Sequence, residues 1–223
     1  MDQAVKLIGE KQIVPVIKLD EAAAAVPLAR ALTDGGLPVA EITFRTKAAA
    51  ESIRRIREVY PDLICGAGTV VTLAQAREAK EAGAMFLVCP GFSQEIVAYA
   101  QEQGLPVFPG CCTPTDLVKA VACGLQIVKF FPAKQYGGLD TIRALSAPFP
   151  GLSFMPTGGI HAENLREYLL NDRIYACGGS WMAPDSLIRE GRFAEIEERT
   201  REAVRLAGQV QAERAARRKE AVS

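Results

Sequence analysis

The amino-acid sequence predicts an α/β protein with the closed (β/α)8 architecture of a TIM barrel, folded as a single domain over residues 1–223. Eight short apolar, β-branched runs recur along the chain, and a helical pattern follows each of them. Strands that alternate with helices pair in parallel. Eight such units in 223 residues fit a closed barrel better than an open doubly wound sheet. No G-x-G-x-x-G motif follows the first run, which disfavours a Rossmann fold.

The eight predicted strands share an apolar, β-branched composition. The first covers residues 13–19, and the others follow at 39–44, 63–70, 85–90, 107–111, 127–132, 153–158 and 174–179. Between them, apolar residues recur at helical spacing in 20–32, 47–60, 72–82, 93–103 and 114–123. Two helix starts support this assignment. Thr72 with Gln75 forms a capping-box pattern, and Thr113 precedes Pro114, which suits the first position of a helix.

The C-terminal part of the sequence is predicted to be helical and charged from residue 185 onward. From about residue 205 we expect a charged helical extension, which ends in the Glu-, Arg- and Lys-rich run 213–220. A solvated or frayed extension is the preferred interpretation of this end, and a partner-binding segment is the alternative. We identify no linker, low-complexity stretch or second domain.

Composition and charge argue against several classes of function. With 49% hydrophobic residues, the chain has enough apolar material for a core without disulfide bonds. Its 26 Lys and Arg balance 26 Asp and Glu, so we expect no nucleic-acid partner. No charged leader with an apolar core opens the sequence, and no apolar run reaches the roughly eighteen residues of a membrane span. We therefore expect a soluble, cytoplasmic protein without membrane association.

Six cysteines and a single histidine, His161, bear on metal binding and redox chemistry. The cysteines lie mostly within apolar segments and form no C-x-x-C pair, so we interpret them as reduced, small core residues. A lone histidine without such a pair does not make a zinc site. The sequence therefore predicts no metal. The cysteines are Cys65, Cys89, Cys111, Cys112, Cys123 and Cys177.

Lys129 lies in the middle of the apolar run 127–132, where the pattern demands a buried strand. A lysine is almost never fully buried without a partner, and desolvation lowers the pKa of a buried ammonium group. A neutral amine is a nucleophile that condenses with carbonyl compounds to form a Schiff base. Lys129 is therefore a candidate nucleophile. The alternative is that its side chain reaches solvent or pairs with a carboxylate and has no catalytic role.

Polar side chains at the ends of the second and third runs are further candidates, because barrel active sites are built at the carboxyl ends of strands. Glu41 and Thr43 share one face of the second strand, and Arg45 follows at the rim. An inward Glu41 would meet Lys129 and serve as a pairing ion, a proton shuttle or both. Arg45 suits a substrate carboxylate, with an ordinary surface arginine as the alternative. Thr69 supplies a hydroxyl at the mouth.

The seventh and eighth runs end in glycine turns that lead toward helices, and these turns predict a phosphate site. They contain Gly158 with Gly159, and Gly179 with Ser180. Loops after strands seven and eight frequently bind phosphate in barrel enzymes through backbone N–H groups. Lys18 ends the first run, which neighbours the eighth across the barrel closure. It would add a positive charge to the phosphate site or would simply be solvated.

His161 and Trp181 lie close to these turns in the sequence. We expect His161 to cap the helix that follows the seventh strand rather than to hold an anion. Trp181 could line the pocket, but a single aromatic residue beside a strand end usually serves packing. We therefore assign no catalytic role to Trp181.

Taken together, the motifs resemble the class I KDPG/KHG aldolase family over about residues 13–181. Their combination is far more specific than any one of them. Cys89 and the pair Cys111-Cys112 depart from the usual pattern of the family, but no catalytic position is left vacant. The motifs are VPVI (14–17), EITFRT (41–46), GAGTV (66–70), CPG (89–91), VKFFPA (128–133), PTGG (156–159) and GGSW (178–181).

The resemblance implies reversible cleavage of 2-dehydro-3-deoxy-6-phosphogluconate to pyruvate and glyceraldehyde 3-phosphate, without a metal or an organic cofactor, by a homotrimer. It implies that Lys129 is the Schiff-base lysine and Glu41 the acid/base. The pyruvate-side pocket would be lined by Arg45, Thr69, Pro90 and Thr157, and the phosphate site by Gly158, Gly159, Gly179 and Ser180, with Lys18 where some members place a basic residue.

Three other functions remain open from the sequence. The nearest is a 4-hydroxy-2-oxoglutarate aldolase, which would release glyoxylate and pyruvate, and a bifunctional enzyme would act on both substrates. A barrel isomerase or a pyridoxal phosphate enzyme is a different class, in which the lysine would bind the cofactor and the glycine turns its phosphate. The third is a barrel that binds a phosphosugar without catalysis.

Overall fold

The computed structural model describes residues 2–220 and the side chains of residues 2–217. Those residues form eight strands and ten helices, and a 3₁₀ turn covers Ala22–Ala24. The strands are β1 (Ile13–Ile17), β2 (Val39–Thr43), β3 (Ile64–Gly68), β4 (Leu87–Val88), β5 (Val107–Phe108), β6 (Ile127–Phe130), β7 (Ser153–Pro156) and β8 (Cys177–Gly179). The helices are α1 (Gln3–Lys11), α2 (Ala25–Asp34), α3 (Ala49–Val59), α4 (Leu73–Glu81), α5 (Gln94–Glu102), α6 (Pro114–Ala122), α7 (Gly138–Ser146), α8 (Ala162–Leu169), α9 (Asp185–Arg189) and α10 (Phe193–Glu220).

Parallel pairing places these strands in two sheets. A six-stranded sheet in the order β5-β4-β3-β2-β1-β8 forms a half-barrel, and β6 pairs with β7 in a second sheet. Isolated parallel bridges between the sheets join Gly110 to Lys129 and Thr157 to Gly178. The predicted α/β class with parallel strands is therefore confirmed.

Each of the eight predicted runs contains a strand, but β4 and β5 have only two residues each. Sheet-like hydrogen bonds continue beyond both of these short strands. The N–H of Cys89 donates to Phe108 O at 3.1 Å, and the N–H of Cys111 donates to Lys129 O at 2.9 Å. The backbone therefore stays paired up to the carboxyl ends of the strands, where the candidate site residues begin.

The core lies inside the half-barrel and between the sheets and the helices. Its largest fully buried side chains include Phe86, Phe130 and Phe154. The rings of Phe130 and Phe154 meet edge to face with centroids 6.5 Å apart. Such aromatic pairs contribute about 0.5–1.5 kcal/mol beyond the burial of their area. This packing holds β6, the strand that carries Lys129, against β7.

The helix starts follow from capping chemistry. The predicted capping box of Thr72 with Gln75 begins α4, and the predicted N-cap residue Thr113 begins α6, where it forms a second capping box with Asp116. Helix α1 was not predicted. Its signal is Asp2, whose Oδ1 accepts a hydrogen bond from the N–H of Ala4 at 2.8 Å. A side-chain oxygen that satisfies such a free N–H group contributes about 0.5–2 kcal/mol to a helix.

Helix α10 packs against α2 and α8 over much of its length. The predicted extension from residue 205 includes Ala207 and Val210, which are buried. Farther along, Arg214 pairs with Asp172 at 2.7 Å. The side chains of 218–220 and the residues 221–223 of that extension lie outside the described part of the chain. Within residues 2–220, no helix combines the length and the apolar character needed to cross a membrane.

Candidate active site

Lys129 and Glu41 meet inside the fold. Lys129 on β6 is 4% exposed, and Glu41 on β2 is fully buried. Their Nζ and Oε1 atoms are 3.5 Å apart, although 88 residues separate them in the sequence. Nζ also lies over the ring of Phe131, 5.2 Å from its centroid. The side chain of Lys129 is only 6% exposed, and it pairs with a carboxylate, as the non-catalytic alternative also expects.

The space for Glu41 depends on a glycine in the neighbouring strand. Thr43 pairs with Gly68 in the register of β2 and β3, and an ideal Cβ at Gly68 would overlap Glu41 Oε1 and lie 2.5 Å from its Cγ. The second oxygen, Oε2, is buried and has no hydrogen-bond partner among the described residues. Because a buried polar atom normally has a partner, Oε2 is an acceptor available to a substrate hydroxyl or a bound water molecule.

We expect Gly68→Ala to reduce turnover by at least about tenfold, because its methyl group would push the Glu41 carboxylate away from Lys129. Overpacking of this kind also costs about 1–3 kcal/mol of folding free energy. Steady-state kinetics and thermal melting measure the two effects. Gly208→Ala is the control, since no neighbouring heavy atom lies within 4 Å of a Cβ at Gly208. Unchanged turnover in Gly68→Ala would show that the position of Glu41 does not limit the reaction.

Arg45 is held by Thr43 beyond the carboxyl end of β2. The hydroxyl of Thr43 donates to Ile17 O at 3.0 Å and accepts from Arg45 Nε at 3.2 Å. No carboxylate among the described residues forms an ion pair with Arg45. Its two terminal nitrogens therefore form an open fork, which matches the geometry of a carboxylate ligand.

Three other predicted residues follow the carboxyl ends of β3, β4 and β7. Thr69 follows β3 with φ of 56°, a left-handed conformation that costs free energy for a residue with a branched side chain. Thr157 is 5% exposed, and its Oγ1 has no hydrogen-bond partner among the described residues. A Cβ at Gly178 would overlap that hydroxyl. Pro90 is half-buried, and a Cβ at Gly110 would overlap its carbonyl group.

The two glycine turns leave several backbone N–H groups unpaired. Gly158 and Gly159 have φ of 95° and 79°, which only glycine adopts readily. Two carbonyl groups of the first turn are held: Thr157 O accepts from Ala133 N at 2.8 Å and Gly158 O from Lys134 N at 3.1 Å. A trans peptide directs its N–H opposite to its carbonyl. Within residues 2–220, three N–H groups of these turns have no acceptor, those of Gly159, Ile160 and Ser180. Gly179 is buried in β8, directly before Ser180.

Lys18, directly after β1, is not a free cation. Its Nζ lies 2.8 Å from Asp20 Oδ1, and its side chain is 28% exposed. The hydrogen bond from Lys18 lowers the pKa of the Asp20 carboxyl group, and the charges of Lys18 and Arg189 add to this effect. Lys18 would therefore have to share its charge with Asp20 in order to bind a phosphate.

His161 and Trp181 have structural partners. His161 is the N-cap residue of α8, and its Nδ1 lies 2.6 Å from Glu163 Oε2. The pKa of the Glu163 carboxyl group is lowered by a hydrogen bond from its own backbone and then by His161. Trp181 is half-buried, and a Cβ at Gly179 would overlap its ring. Trp181 therefore packs on the eighth-strand turn.

The cysteines near the site stay protonated. Burial raises the pKa of the Cys89 thiol to about 12, although the charge of Lys129 acts in the opposite direction. Burial also raises the pKa of Cys111 to about 12. All six cysteines of the chain are free. A thiol of this kind is a poor nucleophile near neutral pH, so Lys129 is the stronger nucleophile candidate.

Two side chains that organise the site were not singled out from the sequence. The sequence places Thr43 on the same strand face as Glu41 but assigns it no role, and Asn164 is not among the predicted site residues. Asn164 Nδ2 donates to Gly159 O at 2.8 Å. The spacing of His161 and Asn164, three residues apart at a helix start, is a capping pattern that could have indicated this contact.

The parallel α/β fold, with a buried amine beside a carboxylate and a glycine turn that has free N–H groups, fits the aldolase class of lyases. Comparison with known proteins agrees. A family model described as KDPG and KHG aldolase matches residues 5–199. The chain therefore belongs to the KDPG and KHG aldolase family, and the resemblance identified from the motifs is confirmed.

Individual relatives and structures support the same assignment. A 2-dehydro-3-deoxy-phosphogluconate aldolase of Treponema pallidum (strain Nichols) is 44% identical over 197 residues, which cover 88% of this chain and 94% of the relative. A KHG/KDPG aldolase of Escherichia coli (strain K12) is 40% identical over 192 residues, 86% of this chain and 90% of the relative. The structure of a Legionella pneumophila KDPG aldolase, with pyruvate captured as a covalent carbinolamine intermediate, superposes with a TM-score of 0.86. It is 35% identical in sequence, and the match covers 89% of this chain and 97% of that one.

Proposed function

We propose that this protein is a class I aldolase that reversibly cleaves 2-dehydro-3-deoxy-6-phosphogluconate to pyruvate and glyceraldehyde 3-phosphate. The observation that carries the proposal is the buried contact of 3.5 Å between Lys129 Nζ and Glu41 Oε1. It places a nucleophile beside an acid/base where water is largely excluded. Membership of the family supports this function over a pyridoxal phosphate enzyme or a non-catalytic barrel.

The reaction begins at Lys129. Transfer of a proton from Nζ to Glu41 leaves a free amine, which attacks the C2 ketone of the substrate. The resulting carbinolamine takes up a proton, loses water and becomes an iminium ion. The iminium accepts the electron pair of the C3–C4 bond when that bond breaks, so the lysine itself supplies the electron sink.

Glu41 moves the protons in this sequence. Directly or through a water molecule, it returns a proton to the departing hydroxyl group and then removes the proton of the C4 hydroxyl. Glyceraldehyde 3-phosphate leaves as the C3–C4 bond breaks. The enamine that remains is protonated at C3, and hydrolysis of the new iminium releases pyruvate and regenerates the amine. The unpaired Oε2 of Glu41 is the oxygen available for these transfers.

The remaining residues hold the substrate. Arg45 binds the carboxylate through its open fork, while Thr69, Pro90 and Thr157 line the pyruvate side. The glycine turns that contain Gly158, Gly159, Gly179 and Ser180 bind the phosphate through their free backbone N–H groups, with a secondary contribution from Lys18. Binding of the substrate at its carboxylate and at its phosphate fixes the C2 ketone against Lys129. The binding energy of these two groups is thereby used to orient the reacting atoms.

Reduction with borohydride in the presence of pyruvate tests this mechanism. We expect intact mass measurement to show one reduced pyruvate on each chain, and peptide mapping to place it on Lys129. An adduct on a different lysine would overturn the role of Lys129. Protein that cleaves the substrate and forms no adduct would overturn the Schiff-base mechanism.

A second substrate follows from one of the relatives. Because the Escherichia coli protein is named a KHG/KDPG aldolase, we also propose activity on 4-hydroxy-2-oxoglutarate, which would yield pyruvate and glyoxylate. The two substrates differ beyond C4, where 4-hydroxy-2-oxoglutarate ends in a carboxylate and 2-dehydro-3-deoxy-6-phosphogluconate carries two further carbons and a phosphate. The ratio of their kcat/KM values therefore measures the preference of the enzyme between these two ends.

We further propose a closed (β/α)8 barrel that forms a single domain and assembles as a cytoplasmic homotrimer. The bridges from Gly110 to Lys129 and from Thr157 to Gly178 support closure, because they join the two sheets at both sides. Light scattering tests the assembly, with a molar mass three times that of the chain as the expected result. A monomeric mass would overturn the trimer.

A further inference from the structure

The first glycine turn is tied down by one amide side chain. Asn164 lies in the first turn of α8, three residues after the N-cap residue His161. Its Oδ1 accepts a hydrogen bond from His161 N at 2.9 Å, and its Nδ2 donates to Gly159 O at 2.8 Å. A single planar group therefore links both ends of the segment 159–161.

The orientation of this amide is determined by its neighbours. His161 Nε2 lies 3.2 Å from Asn164 Nδ2, and His161 Nδ1 lies 2.6 Å from Glu163 Oε2. An imidazole that donates through Nδ1 to the carboxylate of Glu163 presents an acceptor at Nε2. Turning the amide over would bring Oδ1 against Gly159 O and against that lone pair. Nδ2 is therefore the atom that faces both acceptors.

The contact with Gly159 O determines where the next N–H points. Gly159 and Ile160 share a trans peptide, so fixing the carbonyl on one side directs the N–H of Ile160 to the other. That N–H has no acceptor within residues 2–220. Without Asn164, this peptide would rotate more freely, because glycine tolerates many conformations. The preceding peptide is already held by Lys134 N, which donates to Gly158 O at 3.1 Å.

We infer that Asn164 is a positioning residue for the phosphate group of the substrate, and that the N–H of Ile160 joins the donors of the phosphate site. This inference rests on the proposed function. Asn164 acts only through the peptide that it orients. Its contribution is to hold the N–H groups of the turn in a binding arrangement before the substrate arrives, which lowers the ordering cost of binding.

The test compares a phosphorylated substrate with one that lacks phosphate. We expect Asn164→Ala to reduce the ratio of kcat/KM for 2-dehydro-3-deoxy-6-phosphogluconate over 2-dehydro-3-deoxygluconate by about three- to tenfold, the effect of losing one or two hydrogen bonds. The inhibition constant of inorganic phosphate should rise by a similar factor. Partial unfolding of the variant does not affect this ratio, because the fraction of folded enzyme scales both kcat/KM values equally.

Borohydride trapping of pyruvate separates this inference from the proposed function. Pyruvate carries no phosphate, so Asn164→Ala should trap it on Lys129 as the wild type does. A wild type that traps no pyruvate would overturn the proposed function itself. Retention of the wild-type substrate ratio in Asn164→Ala, together with normal trapping, would overturn only the positioning role. A wild-type enzyme with equal kcat/KM for both substrates would also overturn that role.

Gln75→Ala is the matched control. Gln75 occupies the same position in the first turn of α4, and its Oε1 accepts hydrogen bonds from Val71 N at 2.8 Å and Thr72 N at 3.3 Å. It caps a helix as Asn164 does but holds no glycine of the phosphate turns. We expect any loss in Gln75→Ala to be the same for both substrates. An equal change of the ratio in both variants would attribute the effect to helix capping and overturn the inference.

Discussion

Lys129→Ala is expected to abolish both aldol cleavage and the trapping of pyruvate by borohydride. Without the Nζ amine there is no imine and no electron sink for the C3–C4 bond, so turnover should fall by a factor on the order of 10⁴ or more, as in other enzymes that lose a covalent nucleophile. Steady-state assays measure the turnover, and intact mass after reduction measures the adduct.

Lys129→Arg distinguishes the loss of chemistry from the loss of structure. Removing the lysine leaves the buried Glu41 without its partner, and breaking a buried ion pair costs about 3–5 kcal/mol. Arginine keeps a positive charge near Glu41, but its guanidinium group does not form an imine. We expect Lys129→Arg to be inactive and more stable to urea than Lys129→Ala. Trapping of pyruvate by either variant would assign the nucleophile to another lysine.

Glu41→Gln is expected to reduce turnover by a factor on the order of 10² to 10⁴ while the fold is retained, which is the usual contribution of a general acid/base. Glutamine preserves the shape of the side chain beside Gly68 but accepts no proton. The defect should extend to every step that moves a proton. Exchange of the methyl hydrogens of pyruvate for deuterium, which proceeds through the enamine, should slow together with cleavage.

The Lys129 amine remains in Glu41→Gln, so this variant should still form a borohydride adduct with pyruvate, although more slowly. This difference separates the two roles: Lys129 variants form no adduct, and Glu41→Gln forms one without efficient cleavage. Near-normal turnover in Glu41→Gln would remove Glu41 from the proposed mechanism. A loss of folded structure, measured by circular dichroism, would instead assign Glu41 a role in stability.

Much of the fold could be predicted from the sequence, because secondary structure depends on short-range patterns. The eight apolar runs each contain a strand, and the capping residues Thr72 and Thr113 begin α4 and α6 as expected. The helix ahead of β1 was missed, although Asp2 carries its capping signal. The burial of Ala207 and Val210 was also not expected from the local sequence. The helices against which α10 packs, among them α2 and α8, are distant along the chain.

The candidate site was predictable residue by residue but not as an arrangement. Lys129 was conspicuous as a charge within an apolar run, and the alternation of a strand placed Glu41 and Thr43 on one face. The contact of Thr43 with Arg45 and the pairing of Lys18 with Asp20 could not be predicted. Both depend on side-chain rotamers, which the local sequence does not determine.

The sequence alone determined which segments become strands and helices, and which residue types end those strands, because periodicity and capping act over a few neighbouring residues. Only the tertiary structure decided that Nζ of Lys129 and Oε1 of Glu41 stand 3.5 Å apart and that Asn164 holds the carbonyl of Gly159. Such distances depend on the register between strands and on how the sheets pack, which are set by contacts among the whole chain.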